Sequence, residues 1–122
     1  MQIRNFLFHR VSDQHDTLWP PMRIVLFEKI IKQLSKKYTV INLENYLFQN
    51  EKYTGKKTLA SISFDDGYKD NIENAAPILK KYNCPASFYI VTDCIEFNTP
   101  TWTYQLDFAI ANSKISAIVI DK

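Results

Sequence analysis

The stretch Thr58-Leu59-Ala60-Ser61-Ile62-Ser63-Phe64 carries no charge and runs straight into Asp65-Asp66-Gly67. Small, β-branched and aromatic residues in such a run suit a strand packed on both faces, not one with a solvated side. Asp and Gly then end the strand, and Gly67 can take the positive φ of a tight turn. Successive side chains in extended backbone point in different directions. Asp65 and Asp66 are therefore not duplicates: one can hold a metal while the other takes a proton. An Asp-Asp-Gly standing alone is most often only a turn, so its meaning depends on the rest of the chain.

That rest alternates. Asn5–Val11 reads as a strand with Phe6, Leu7 and Phe8 at its centre, and Ser12–Trp19 as a polar loop closed by Pro20 and Pro21, which can occupy the first positions of a helix. From Met22 to Lys37 the period is helical, with Phe27, Ile30, Ile31 and Leu34 on one face and Lys36 and Lys37 at the negative end of the dipole. Thr39–Leu43 reads as a short strand and Glu44–Phe48 as a brief helix with Tyr46 and Leu47 inward; a polar loop from Gln49 to Lys57 follows. After the acidic strand, Asp70–Tyr82 is helical in pattern but holds Pro77, which predicts a loose first turn near Asn71–Asn74 and a restart around the proline. Ala86–Thr92 reads as a strand, Glu96–Thr101 as a loop, Trp102–Asn112 as a helix and Ile115–Ile120 as a last apolar strand. Strands alternating with helices predict a parallel sheet with crossover helices, whose ligands bind at the C-terminal strand ends. Asp65 and Asp66 fall at such an end, as do His9 and Asp13 after the first strand and Asp93 after the fourth.

Composition removes several classes. With 122 residues, 46% apolar and 23% charged, the chain is one domain or part of one. A net charge of +2 with scattered lysines gives no basic stripe, so no nucleic-acid partner is expected. The two glycines cannot write a phosphate loop, and Cys84 and Cys94 lack C-x-x-C spacing and read as free thiols. No membrane span is expected, for want of a long apolar run. The start has no signal-peptide pattern, which leaves the cytoplasm, or the envelope if an export signal lies elsewhere.

With these segments in place the chain resembles the polysaccharide deacetylases, carbohydrate esterase family four. The family's first motif, [ST]-F-D-D-G, stands here as Ser63-Phe64-Asp65-Asp66-Gly67. The continuation through Tyr68 to Tyr82, the segment Cys84–Val91 and the opening Phe8-His9-Arg10-Val11-Ser12-Asp13 are similar as well, so that about residues 5 to 112 are covered. The resemblance implies an α/β fold, the N-terminal half of a distorted (β/α) barrel with a mostly parallel sheet. It implies a hydrolase that removes acetyl groups from N- or O-acetylated polysaccharide or oligosaccharide with a divalent metal ion (zinc, cobalt or nickel). Asp65 takes the position of the catalytic base and Asp66 that of the metal ligand. His9, Asp13, Gly67 and Tyr68 stand on the substrate side or behind the metal ligand, and a backbone N–H at Gly67 or Tyr68 is a candidate oxyanion donor.

The chain departs from the pattern in one respect. The family's second motif, H-[ST]-x-x-H, gives the metal two imidazoles, and no histidine follows His15 here. The R-x-P motif and the later histidine acid are absent too. Residues 1–122 therefore read as a partial catalytic domain whose metal site is incomplete without the His pair. The expected partners are acetylated glycan and a missing C-terminal half, or self-association through an open apolar edge. A non-catalytic glycan-binding or interaction fragment of the same fold is the alternative. His15 is expected as an exposed loop residue, and Trp102 and Tyr104 as packing residues. A haloacid-dehalogenase-type phosphatase fits poorly, because its aspartates alternate where these are adjacent.

Overall fold

The computed structural model describes residues 3–16, 18–49, 58–115 and 117. Its elements are β1 (Ile3–Phe8), α1 (Ile24–Lys37), β2 (Thr39–Val40), α2 (Leu43–Gln49), β3 (Leu59–Phe64), a π-helical turn (Asn71–Ala75), α3 (Ala76–Lys81), β4 (Ser87–Phe88), α4 (Thr92–Glu96) and α5 (Trp102–Asn112). The fold is α/β, and the strand pairings among the described residues are all parallel.

β3 is the centre of the sheet, and all six of its residues are buried, as its uncharged sequence demands. Its whole length pairs with β1, from Ile3 opposite Leu59 to Phe8 opposite Phe64. Its other edge is shared. β2 takes Leu59 and Ala60, and β4 takes Ser63 and Phe64. The core is built on aromatic contacts at the C-terminal end of these strands. Phe8 meets Phe27 edge-on at 5.2 Å and stacks on Phe64 at 5.5 Å, and Phe64 stacks on Phe88 at 4.9 Å. α1 lays Phe27, Ile31 and Leu34 on this layer at the predicted spacing.

Pro77 acts as its chemistry requires. It lacks an N–H and its ring crowds the carbonyl four residues back. The chain answers with a π turn over Asn71–Ala75, in which Ala76 N–H reaches Asn71 O, and α3 begins with the proline in its first turn. The wider turn also aims Asn71 and Asn74 at the end of β1. Asn71 Nδ2 donates to His9 O at 2.7 Å and Asn74 Nδ2 to Val11 O at 2.8 Å.

Several boundaries differ from the sequence expectation. β1 stops at Phe8 because the chain beyond it finds other partners: Val11 N–H donates to Asp70 Oδ1, and Val11 bridges to Met22 instead of continuing the ladder. The prolines therefore precede α1 without entering it. β2 yields to α2 at Leu43, and Leu47 points outward, 64% exposed. β4 keeps two of seven expected residues, since β3 offers no backbone past Phe64, where the acidic turn begins; Thr92–Glu96 then coils into α4. The polar stretch 50–57 and most of the expected last strand, Ile115–Ile120, lie outside the described residues. Cys84 is buried, Cys94 partly so, and both are free.

Because Phe27 is fully buried among the rings of Phe8 and Phe64, Phe27→Ala is expected to cost about 3–5 kcal/mol in urea denaturation. A loss below about 1 kcal/mol would contradict this packing.

Candidate active site

The C-terminal ends of β1, β3 and β4 open onto one cleft of about 870 Å³. β1 delivers His9, β3 delivers Asp66 through the turn that ends it, and the segment after β4 delivers Val91 and Asp93. The turn itself is tight. Asp66 and Gly67 both lie in the left-handed region, at φ 70° and 66°. Gly67 is required twice over: by its φ, and because a Cβ there would meet Ile90 Cγ2 at 2.9 Å. Asp66 in that conformation costs about 1–2 kcal/mol, and its only local signal is an Asp's tolerance of such angles.

The bent turn puts the two acids in different surroundings. Asp66 lines the cleft, and its Oδ2 lies 2.9 Å from His9 Nδ1, both side chains about one-third exposed. With the proton on Nδ1 the imidazole donates to the carboxylate and holds it in place. Asp65 donates its backbone N–H to Phe8 O at 3.1 Å, so it continues the sheet for one residue. Its half-buried carboxylate has neither a hydrogen bond nor an ion pair among the described residues. Asp65 is not among the residues lining the cleft.

Behind the turn lies a polar hub. Arg10 bonds Asp16 at 2.9 Å and Asp70 at 3.4 Å, and its guanidinium sits 5.2 Å from the centre of the Tyr68 ring. Asp16 also accepts the N–H groups of Leu18 and Trp19, both at 3.1 Å, which fixes the loop that presents Trp19 beside His9. The Trp19 N–H is the main reason the Asp16 carboxyl lies below its ordinary range. Burial opposes it, and the Leu18 N–H and Arg10 add to the lowering. Tyr68 also lines the cleft; burial, and then the Asp66 charge, push its phenol above the usual value.

The placement of the other expected residues is mixed. Asp13 does not line the cleft. Its Oδ1 accepts Ile24 N–H at 3.1 Å, a capping bond at the start of α1. His15 is exposed but does line the cleft. Trp102 and Tyr104 are not packing residues: they are 73% and 48% exposed and form part of the cleft wall. Sequence reasoning missed Arg10, Asp16, Asp70 and Asp107. Only Asp16 carried a local signal, an Asp ahead of the N–H groups it turns back to catch.

The residues present do not make a metal site by themselves. A catalytic zinc takes three protein donors. Among the described residues no three His, Cys, Asp or Glu side chains come together to hold an ion. Asp66 and His9 offer two donors and spend them on each other.

The family model for polysaccharide deacetylases matches residues 52–112, half of the sequence, and the chain belongs to that family. It is 40% identical over 67 residues to the poly-β-1,6-N-acetyl-D-glucosamine N-deacetylase of Staphylococcus aureus, which covers 54% of this chain and 23% of that protein. It is similar in structure to the Streptococcus pyogenes deacetylase PplD solved with acetate, with a TM-score of 0.68 at 23% identity over 81% of this chain and 46% of the other. A de-N-acetylase from Aggregatibacter actinomycetemcomitans gives a TM-score of 0.66 at 26% identity over 77% and 39%. The chain thus spans about a quarter of the length of the curated relative and less than half of these solved structures.

Two outcomes follow from this geometry. Asp16 has a lowered folded-state pKa, so its stabilisation is fully present above about pH 4 and is lost as pH falls through the folded value. Asp16→Asn should lower the urea midpoint at pH 7, with the gap to the parent chain narrowing in acid; a gap of constant size across pH would contradict this. Zinc titration of the 122-residue chain and of Asp66→Ala should give superimposable isotherms. Tight binding lost in the variant would show that the site is complete after all.

Proposed function

We propose that this chain supplies the carboxylate side of a deacetylase centre that hydrolyses acetyl groups from N- or O-acetylated polysaccharide. The observation that carries the proposal is the left-handed Asp66-Gly67 turn at the C-terminal rim, which separates an anchored carboxylate, Asp66 on His9, from that of Asp65, which has no partner among the described residues. Membership of the polysaccharide deacetylase family supports it, as does the similarity to a relative named for removing acetyl groups from a glucosamine polymer.

Asp65 is the base. Water attacks the acetyl carbon, a C–O bond forms, and the water's proton passes to Asp65. The C–N or C–O bond to the sugar then breaks, the proton becomes available to the leaving atom, and acetate is released. A backbone N–H of the same turn, at Gly67 or Tyr68, would steady the oxyanion. His9 holds Asp66 and Tyr68 forms part of the cleft wall, whereas Asp13 serves α1. A divalent ion (zinc, cobalt or nickel) would take Asp66 as one ligand, with imidazoles supplied from outside these residues. Residues 1–122 are then one part of a catalytic domain. The exposed Leu106 and Ile110, on the side of α5 away from the cleft, are where a complementary segment or a second copy would pack.

A second reading has its own observation. Because no three metal-binding side chains converge among the described residues, the isolated chain would bind glycan without cleaving it. One assay covers both. The 122 residues alone, with zinc or cobalt and an acetylated chito-oligosaccharide, should release little acetate. Joined to the remainder of the Staphylococcus aureus relative, they should release it readily, and Asp65→Asn should slow that chimera about 10²–10⁴-fold. Robust release from the isolated chain would refute the incomplete-site reading; an Asp65→Asn chimera as fast as its parent would refute the base assignment.

A further inference from the structure

The chain carries a net charge of +2, yet its cleft has the opposite sign. Four carboxylates, Asp16, Asp66, Asp93 and Asp107, line it against one guanidinium, that of Arg10. Arg10 is already committed to Asp16 and Asp70, and Asp66 to His9. The side chains of Asp93 and Asp107 have neither a hydrogen bond nor an ion pair among the described residues. Asp107 is half-buried, so it has lost part of its hydration and gained no counter-charge. A cation entering the cleft would relieve that imbalance.

The shape of the cleft narrows the choice of cation. Among the described residues no three ligating side chains converge, so Asp93 and Asp107 do not by themselves call for a metal ion. The wall is aromatic: Trp102 and Tyr104 from α5, Tyr68 from the acidic turn, and Trp19 from the Asp16 loop. Trp102 and Trp19 are 73% and 58% exposed, an arrangement that leaves their rings open to a ligand. Flat rings suit the apolar faces of sugars, and their negative faces attract ammonium groups. Carboxylates without partners among the described residues, set beside exposed rings, match a sugar that carries a positive charge.

We propose that the cleft binds amino-sugar units bearing a free, protonated amine, and so favours partially deacetylated glycan over fully acetylated glycan. The proposal rests on the deacetylase reading above: a free amine is what that hydrolysis leaves on an N-acetyl sugar. One product unit bound here would place a neighbouring acetylated unit at the same rim.

The test is calorimetric titration of the 122-residue chain at low salt, at a pH where amines are protonated, with a glucosamine oligosaccharide and its N-acetylated counterpart of equal length. The amine-bearing ligand should bind about tenfold tighter, with the preference collapsing at high salt. Asp107→Asn and Asp93→Asn should each cut the preference severalfold. Glu73→Gln, whose parent side chain pairs with Lys69 outside the cleft, should keep it. Equal affinity for the two sugars, no binding of either, or a preference unmoved in both cleft variants would overturn the proposal. An oligolysine of equal charge binding as tightly as the amino sugar would overturn its sugar specificity. Acetate release by the chimera is read separately. An active chimera with equal affinities sinks only the amine preference, whereas an inactive chimera with the preference intact sinks the deacetylase reading instead.

Discussion

The register of β1 against β3 is the constraint on which the site depends. Six paired positions end with Phe8 beside Phe64, so the next residues along each strand, His9 and the Asp65-Asp66 pair, emerge together at one rim. A slip of one residue would reverse which side chains face the core. It would also separate Phe8 from Phe64 and part the imidazole from the carboxylate. The stacked rings that stabilise the core are therefore the same contacts that set the 2.9 Å bond between His9 and Asp66. Stability and site geometry share one cause.

A second consequence lies in the turn. Bending the backbone to positive φ at Asp66 and Gly67 sends neighbouring acids into different environments, one anchored in the cleft and one whose carboxylate has no partner among the described residues. Proline supports this from a distance. By forcing a π turn, Pro77 directs Asn71 and Asn74 onto the backbone after β1, so that the segment carrying His9 and Arg10 is tied to the segment that follows the acids. Arg10 extends the tie to Asp16 and the loop of Trp19. Electrostatics and backbone hydrogen bonding thus fix the cleft from behind, while its front presents exposed rings and carboxylates unpaired among the described residues.

Much of this was legible in the residues. The uncharged run of β3, the helical spacing of Phe27, Ile31 and Leu34, the break at Pro77 and the turn at Gly67 all act locally, and each appears where local chemistry puts it. Boundaries were less legible, because they depend on competition. β1 ends early when Asp70, some 60 residues away, captures the Val11 N–H, and no property of residues 5–11 announces that. Asp13 illustrates the same limit: an acid after a strand reads as a rim residue, but the nearest unmet donor was the start of α1. Trp102 and Tyr104 depart from expectation because aromatic residues on a helix usually pack. α5 buries none of its side chains among the described residues, and its periodicity alone could not reveal that its neighbour is a cleft.

The direct measurement is a nitrogen-15 NMR titration of the 122-residue chain with an acetylated oligosaccharide. Amide shifts should concentrate at His9, Asp66 to Tyr68 and the cleft-facing positions of α5. Shifts confined to the outer face of α1, or none at the acidic turn, would contradict the placement of glycan against the paired aspartates.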